Sequence, residues 1–172
     1  MSPPRPSSVI IRLVLLAGAV GGGLAYLVAT GETMPPRVAA HFAVGGHADG
    51  WMDRSRYLAG MAIVLLALPL GSTLLLGVMR VLPVELLNIP NRDYWLAPAQ
   101  RDATYRALLV LGADLGIGEA LAISALHALV MDAQGHADIL SDWSWKLELM
   151  LVAGILLRLT RFVRRCRRLP SA

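Results

Sequence analysis

The stretch VIIRLVLLAGAVGGGLAYLVAT, residues 9–30, holds one charge, Arg12, in twenty-two positions. An α-helix needs about 20 predominantly apolar residues to cross a hydrocarbon core of about 30 Å. A helix apolar on every side suits a membrane or a large core rather than a surface. Residues 58–82, 107–131 and 143–162 repeat the pattern, and the four stretches together make up about half of the 172-residue chain. They predict an all-α fold: an integral membrane bundle of four transmembrane helices in a single domain, 1–172, with disordered ends at 1–8 and 169–172. With 56% hydrophobic and 16% charged residues, the composition suits a membrane bundle better than a soluble core.

The flanks of the stretches orient them. Arg5 and Arg12, then Arg80, Arg92, Arg101 and Arg106, then six arginines from Arg158 to Arg168 make twelve basic residues beside one set of ends. The other two loops hold four: Arg37, Arg54, Arg56 and Lys146. By the positive-inside rule both termini and the middle loop, 83–106, are expected in the cytoplasm, with a long first loop, 31–57, outside. The net charge of +4 thus reads as orientation and not as a nucleic-acid surface. The first stretch exceeds a typical signal-peptide apolar run and no A-x-A site follows it, so it is expected to stay attached. In the fourth, Glu148 and Arg158 interrupt the apolar run, while Trp143 and Trp145 can anchor one end and arginines the other. Cys166 is the only cysteine, which excludes an intrachain disulfide and a Cys-based zinc site.

Gly18 and Gly22, and again Gly112 and Gly116, stand in G-x-x-x-G spacing, which lets two helix backbones approach closely. Packing within the bundle and a homodimer face are both open readings. Pro69 predicts a kink that frees a carbonyl near Leu65. The tetrapeptide Gly-His-Ala-Asp occurs at 46–49 and 135–138, and nothing else in the two halves aligns with it.

Pro35, His41-Phe42, Gly46, Asp49-Gly50-Trp51 and the basic Arg54 resemble the loop signature of a bacterial membrane family of unknown function, related to the N-terminal part of SdpI-type immunity proteins. Asn88, Pro90, Asn91, Tyr94 and Trp95 are similar to the N-x-P-N-x-x-Y-W segment that short members carry between helices two and three. Ala39 and Ala43 depart from the proline and asparagine usual there. The resemblance implies a multi-pass protein of the inner membrane. In its best-known relatives it also implies immunity to a membrane-active toxin, with signalling through a cytoplasmic regulator.

Within the apolar stretches four polar residues stand out: Asp114, Glu119, His127 and Arg158. A charged carboxylate at mid-bilayer costs about 2.5–3.5 kcal/mol on insertion scales, so such groups face a partner or water. Asp114 is expected to pair with Arg158 or Arg80. Glu119 is expected to be neutral and hydrogen-bonded to a neighbouring helix, with a proton-relay role beside His127 as the functional alternative. His41, His47 and His136 lie among loop aspartates and are weak metal candidates, since no pair has a binding interval on a regular element. His41 and Phe42 are expected to dock the loop on the bundle, Gly46 and Gly50 to permit turns, and Trp51 to sit at the interface. Tyr94 and Trp95 are expected at headgroup level, with a docking role for a cytoplasmic partner as the alternative. No catalytic constellation is present. The chain is read as non-enzymatic, with no cofactor: an immunity or signal-sensing protein with 31–57 as receptor and 83–106 as output. The alternatives are an accessory subunit of a membrane complex and a small proton-coupled transporter using Glu119. The partners expected are the lipid bilayer, a second copy, or another membrane or cytoplasmic regulatory protein.

Overall fold

The computed structural model describes residues 5–169. In chain order it contains α1 (Pro6–Gly31), a hairpin of β1 (Arg37–Phe42) and β2 (Ala48–Asp53), α2 (Arg54–Val78), a 3-10 turn (Val84–Leu86), a short α3 (Arg92–Trp95), α4 (Arg101–Gly135) and α5 (Trp143–Arg167). The chain is mostly helical, and α1, α2 and α4 are long and apolar enough to cross a membrane.

The centre of the bundle is α4, which packs against α1, α2 and α5. Half of its apolar window is buried, against 17% in α1 and α2. Small residues explain why. A Cβ at Gly116 would lie 2.6 Å from the Pro69 carbonyl oxygen, and one at Gly112 would lie 3.0 Å from Thr73 Cα. The second G-x-x-x-G pair is therefore the seam on which α2 and α4 approach closely. At Gly18 and Gly22 a Cβ would meet nothing within 4 Å, so the first pair does no packing within the chain. Helix α2 continues through Pro69, whose carbonyl accepts from Thr73 Oγ1 at 2.7 Å.

Three apolar clusters stack along the bundle. Met34, Val38, Tyr57 and Val130 lie at the hairpin end. Leu16, Val20, Leu27, Leu65 and Ala120 fill the middle. Leu87, Ile89, Leu96, Tyr105, Leu108 and Cys166 close the opposite, arginine-rich end. Outward-facing side chains are apolar as well: Val14, Val28, Leu74, Leu75 and Met150 are all exposed. Such a continuous apolar surface is costly in water and ordinary in lipid, so the structure is compatible with a membrane protein.

Several expectations are corrected. The chain is not all-α, because residues 37–53 pair as an antiparallel hairpin. Apolar counting overlooks it, since its strands bury only Val38 and Ala39 fully. Residues 6–8 belong to α1, with Pro6 in the first turn, where a missing N–H costs nothing. Residues 1–4 and 170–172 lie outside the described residues. Residues 79–82 are turn rather than helix. Helix α4 begins six residues before the expected boundary and ends four after it, because backbone hydrogen bonding outlasts the apolar run. Helix α5 returns beside α4, with Arg158 meeting Asp114 and Cys166 packing near Tyr105 and Leu108. Only Cys166 is buried on it, and it is not among the helices apolar enough to cross.

Candidate functional site

The hairpin is held by its neighbours more than by itself; two strands alone are marginally stable. Its turn uses Gly45 and Gly46 at φ of +102° and +82°, which only glycine adopts without strain. The register pairs Val38 with Met52, Ala39 with Trp51 and Phe42 with Ala48. Gly50 is a strand residue opposite His41, not a turn residue, and a Cβ there would lie 2.9 Å from His41 Cβ. Gln134 of α4 satisfies both backbone groups of the fully buried Ala39: its Oε1 accepts from Ala39 N at 3.0 Å, and its Nε2 donates to Ala39 O at 3.2 Å. Arg54 closes the base, donating from Nη1 to Met34 O at 3.0 Å and Glu32 O at 3.2 Å.

The connection between α4 and α5 adds an edge to the hairpin. Ala48 N donates to Asp138 O at 3.0 Å and Leu140 N donates to Gly46 O at 2.7 Å. Trp51 Nε1 donates to Asp138 Oδ2 at 3.3 Å. The two Gly-His-Ala-Asp segments thus lie side by side. Asp138 and its neighbour Ala137 reach this position with φ of 56° and 55°.

What remains free on the hairpin is chemically distinctive. His41 and Asp49 form an exposed pair between Nδ1 and Oδ1. Phe42 packs against the cluster beneath, so it docks the loop and His41 does not. Trp51 is 46% exposed, Met52 40% and Ile139 41%, and Val44 is fully exposed at the tip. His136 pairs with Asp132 in the last turn of α4, and His47 bridges to Ile139. His41, His47 and His136 therefore do not converge, and no group of three metal-ligating side chains occurs among the described residues.

Directly beneath the hairpin lies His127, fully buried. The Thr30 hydroxyl has one proton and donates it to Tyr26 O at 2.7 Å. Its oxygen must therefore accept from His127 Nε2, 2.8 Å away. In the neutral ring Nδ1 is then the acceptor, and the Tyr57 hydroxyl donates to it at 3.0 Å. One imidazole thereby joins α1, α2 and α4, with Tyr26 edge-on at 5.2 Å and Tyr57 stacked at 5.7 Å.

Deeper in the bundle, Ser72 Oγ of α2 donates to Glu119 Oε2 at 2.9 Å. Glu119 thus has the neighbouring-helix partner expected of it, and none in common with His127. Asp114 is ion-paired with Arg158 Nη1 at 2.7 Å and with Arg12 Nε at 3.4 Å, the second without a hydrogen bond. Arg80 pairs instead with Asp102 at 3.8 Å. At the far end the middle loop caps α5. Asn91 Nδ2 donates to Cys166 O at 2.9 Å and Arg167 O at 3.1 Å, and Trp95 Nε1 donates to Cys166 O at 2.7 Å. The last carbonyls of a helix lack internal partners, and these side chains supply them. Asn91 takes the left-handed conformation, φ 54°, to do so. Pro90 and Asn88 lead the chain into this turn beside the buried Leu87 and Ile89, and Tyr94 packs edge-on to Trp95 at 5.1 Å.

The chain matches no family model, no curated protein and no solved structure. The residues that sequence reasoning missed are Arg12 as a partner of Asp114, Thr30 and Tyr57 around His127, and Gln134 and Asp138 under the hairpin. Each is a common residue type whose role depends on a contact far away in sequence. The repeated tetrapeptide was the single local signal of any of them.

Proposed function

We propose that this is a non-enzymatic, multi-pass protein of a bacterial inner membrane whose outer hairpin recognises an extracytoplasmic ligand. The observation that carries this is the exposure of Trp51, Met52 and Val44, together with the His41–Asp49 pair, on a hairpin that is otherwise docked on the helices. Exposed aromatic and apolar groups on an ordered support are typical of interaction sites. The resemblance to SdpI-type immunity proteins suggests a membrane-active peptide as the ligand class. The buried His127 joins α1, α2 and α4, and its partner Tyr57 shares a cluster with Val38 of the hairpin.

In this reading α5 is a fourth crossing. It lies antiparallel along α4, so a crossing by α4 carries α5 across with it. The positive-inside count then places the hairpin outside and both termini, with the 84–96 loop, in the cytoplasm. That loop is the element placed to pass a change in α5 to a regulator. A transport role for Glu119 draws less support, because Glu119 and His127 are engaged with separate partners.

The test is complementation of a deletion strain challenged with membrane-active peptides. Trp51→Ala and His41→Ala are expected to lose protection at unchanged membrane abundance and thermal stability. Full protection by both variants would overturn the proposal, and so would a purified protein that crosslinks through residue 51 to a fixed membrane subunit.

A further inference from the structure

Helix α5 is clamped at its C-terminal end and by Arg158, yet between these anchors and Trp143 it stands off from α4. The gap is a half-open cleft of about 400 Å³. Gly118 of α4 and Gly154 of α5 both line it, and a Cβ on either would meet nothing within 4 Å. Leu121, Ala122, Met150 and Leu151 make the rest of the wall apolar. The one polar end is formed by Asp114 and Arg158.

Length, lining and charge point to an occupant. The lining runs over eleven residue steps on each helix, about 16 Å at a rise of about 1.5 Å per residue. That is about half of a hydrocarbon core of about 30 Å, in the middle of the apolar runs 107–131 and 143–162. A cleft of this length, walled by α4 and α5 and lined by apolar side chains, accommodates an extended chain of methylenes in contact with both helices. Charge fixes the polarity of the occupant. Two guanidinium groups, Arg12 and Arg158, face the single carboxylate of Asp114, and Arg12 Nε is buried without a hydrogen bond. The side chain of Arg158 is 45% exposed, and exposed Arg161 follows nearly a turn later.

We infer that this cleft holds one acyl chain of an anionic phospholipid, with its phosphate on Arg158. The acyl chain replaces the packing that α5 does not make with α4, and the headgroup balances the surplus guanidinium charge. The inference rests on the fourth crossing proposed above. A topology reporter fused at Ala172 tests that crossing independently of any lipid measurement, so the two failures are distinguishable.

The experiment is native mass spectrometry of the full chain from bilayers of phosphatidylglycerol and phosphatidylcholine with identical acyl chains. One phosphatidylglycerol per chain should be retained, preferred by roughly fivefold, the order expected of one arginine at an anionic surface. Arg158→Gln should abolish the preference. Gly154→Leu and, from the opposite wall, Gly118→Leu should displace both lipids while the protein stays monodisperse. Equal retention of the two lipids by the wild type would overturn the inference, as would unchanged retention in both leucine variants. Inorganic phosphate that matches the lipid's thermal stabilisation would point to a bare anion site instead. Chain–chain crosslinks lost in Gly154→Leu would mean that a second copy fills the cleft.

Discussion

At the scale of single residues, His127 carries the most, because one ring joins α4 to both α1 and α2. A buried polar side chain in an apolar bundle must satisfy both nitrogens, and Tyr57 and Thr30 do so from two different helices. Such hydrogen bonds in membranes are worth about 0.6 kcal/mol on average. His127→Phe, which keeps the ring volume and removes both bonds, should therefore cost about 1–2 kcal/mol in detergent-titrated unfolding. Tyr57→Phe should cost about half of that, since Thr30 keeps its bond. Equal stability of all three proteins would show that the network is idle. The residue type was conspicuous in the sequence, but its partners were not. Nothing local marks Thr30 or Tyr57 as partners of a residue 97 or 70 positions away.

At the scale of elements, the two G-x-x-x-G pairs are the same word with different meanings. Gly116→Leu would drive a Cβ against the Pro69 carbonyl, a backbone atom that cannot swing aside. Overpacking of this kind costs about 1–3 kcal/mol or more, and the variant should lose tens of per cent of its folded, monodisperse yield in gel filtration. Gly22→Leu meets nothing within 4 Å and should leave the yield of the monomer unchanged. A reversed order would mean that the α2–α4 seam is not the bundle's main contact. The spacing itself was plain in the sequence, whereas its use depends on which face each helix turns inward. The middle-loop motif behaves similarly. The indole of Trp95 caps α5 together with Asn91, a contact that nothing local in the motif announces. Asn91→Ala removes two bonds to the last carbonyls, about 1 kcal/mol each. The last turn should fray, and the buried Cys166 should react with maleimide roughly thirtyfold faster if opening costs about 2 kcal/mol less. An unchanged labelling rate would place the restraint elsewhere.

At the scale of the whole molecule, the hairpin depends for its backbone hydrogen bonds on α4 and the α4–α5 connection. Gln134→Ala strips Ala39 of the partners for both its backbone groups and should loosen the hairpin while the helices hold. Limited proteolysis should then cut within residues 43–46 several-fold faster, with little change in the thermal midpoint; a joint collapse would show a single cooperative unit. The sequence by itself determined the apolar helices, their approximate ends and the charge asymmetry, because crossing a hydrocarbon layer is set by local length and composition. It could not determine that 37–53 folds as a hairpin, that Arg12 joins Arg158 at Asp114, or that α5 leaves a cleft beside α4. Those features come from pairings between distant segments. Such pairings are decided by which side chains and backbone groups find partners once the helices are packed, and only the tertiary structure settles that.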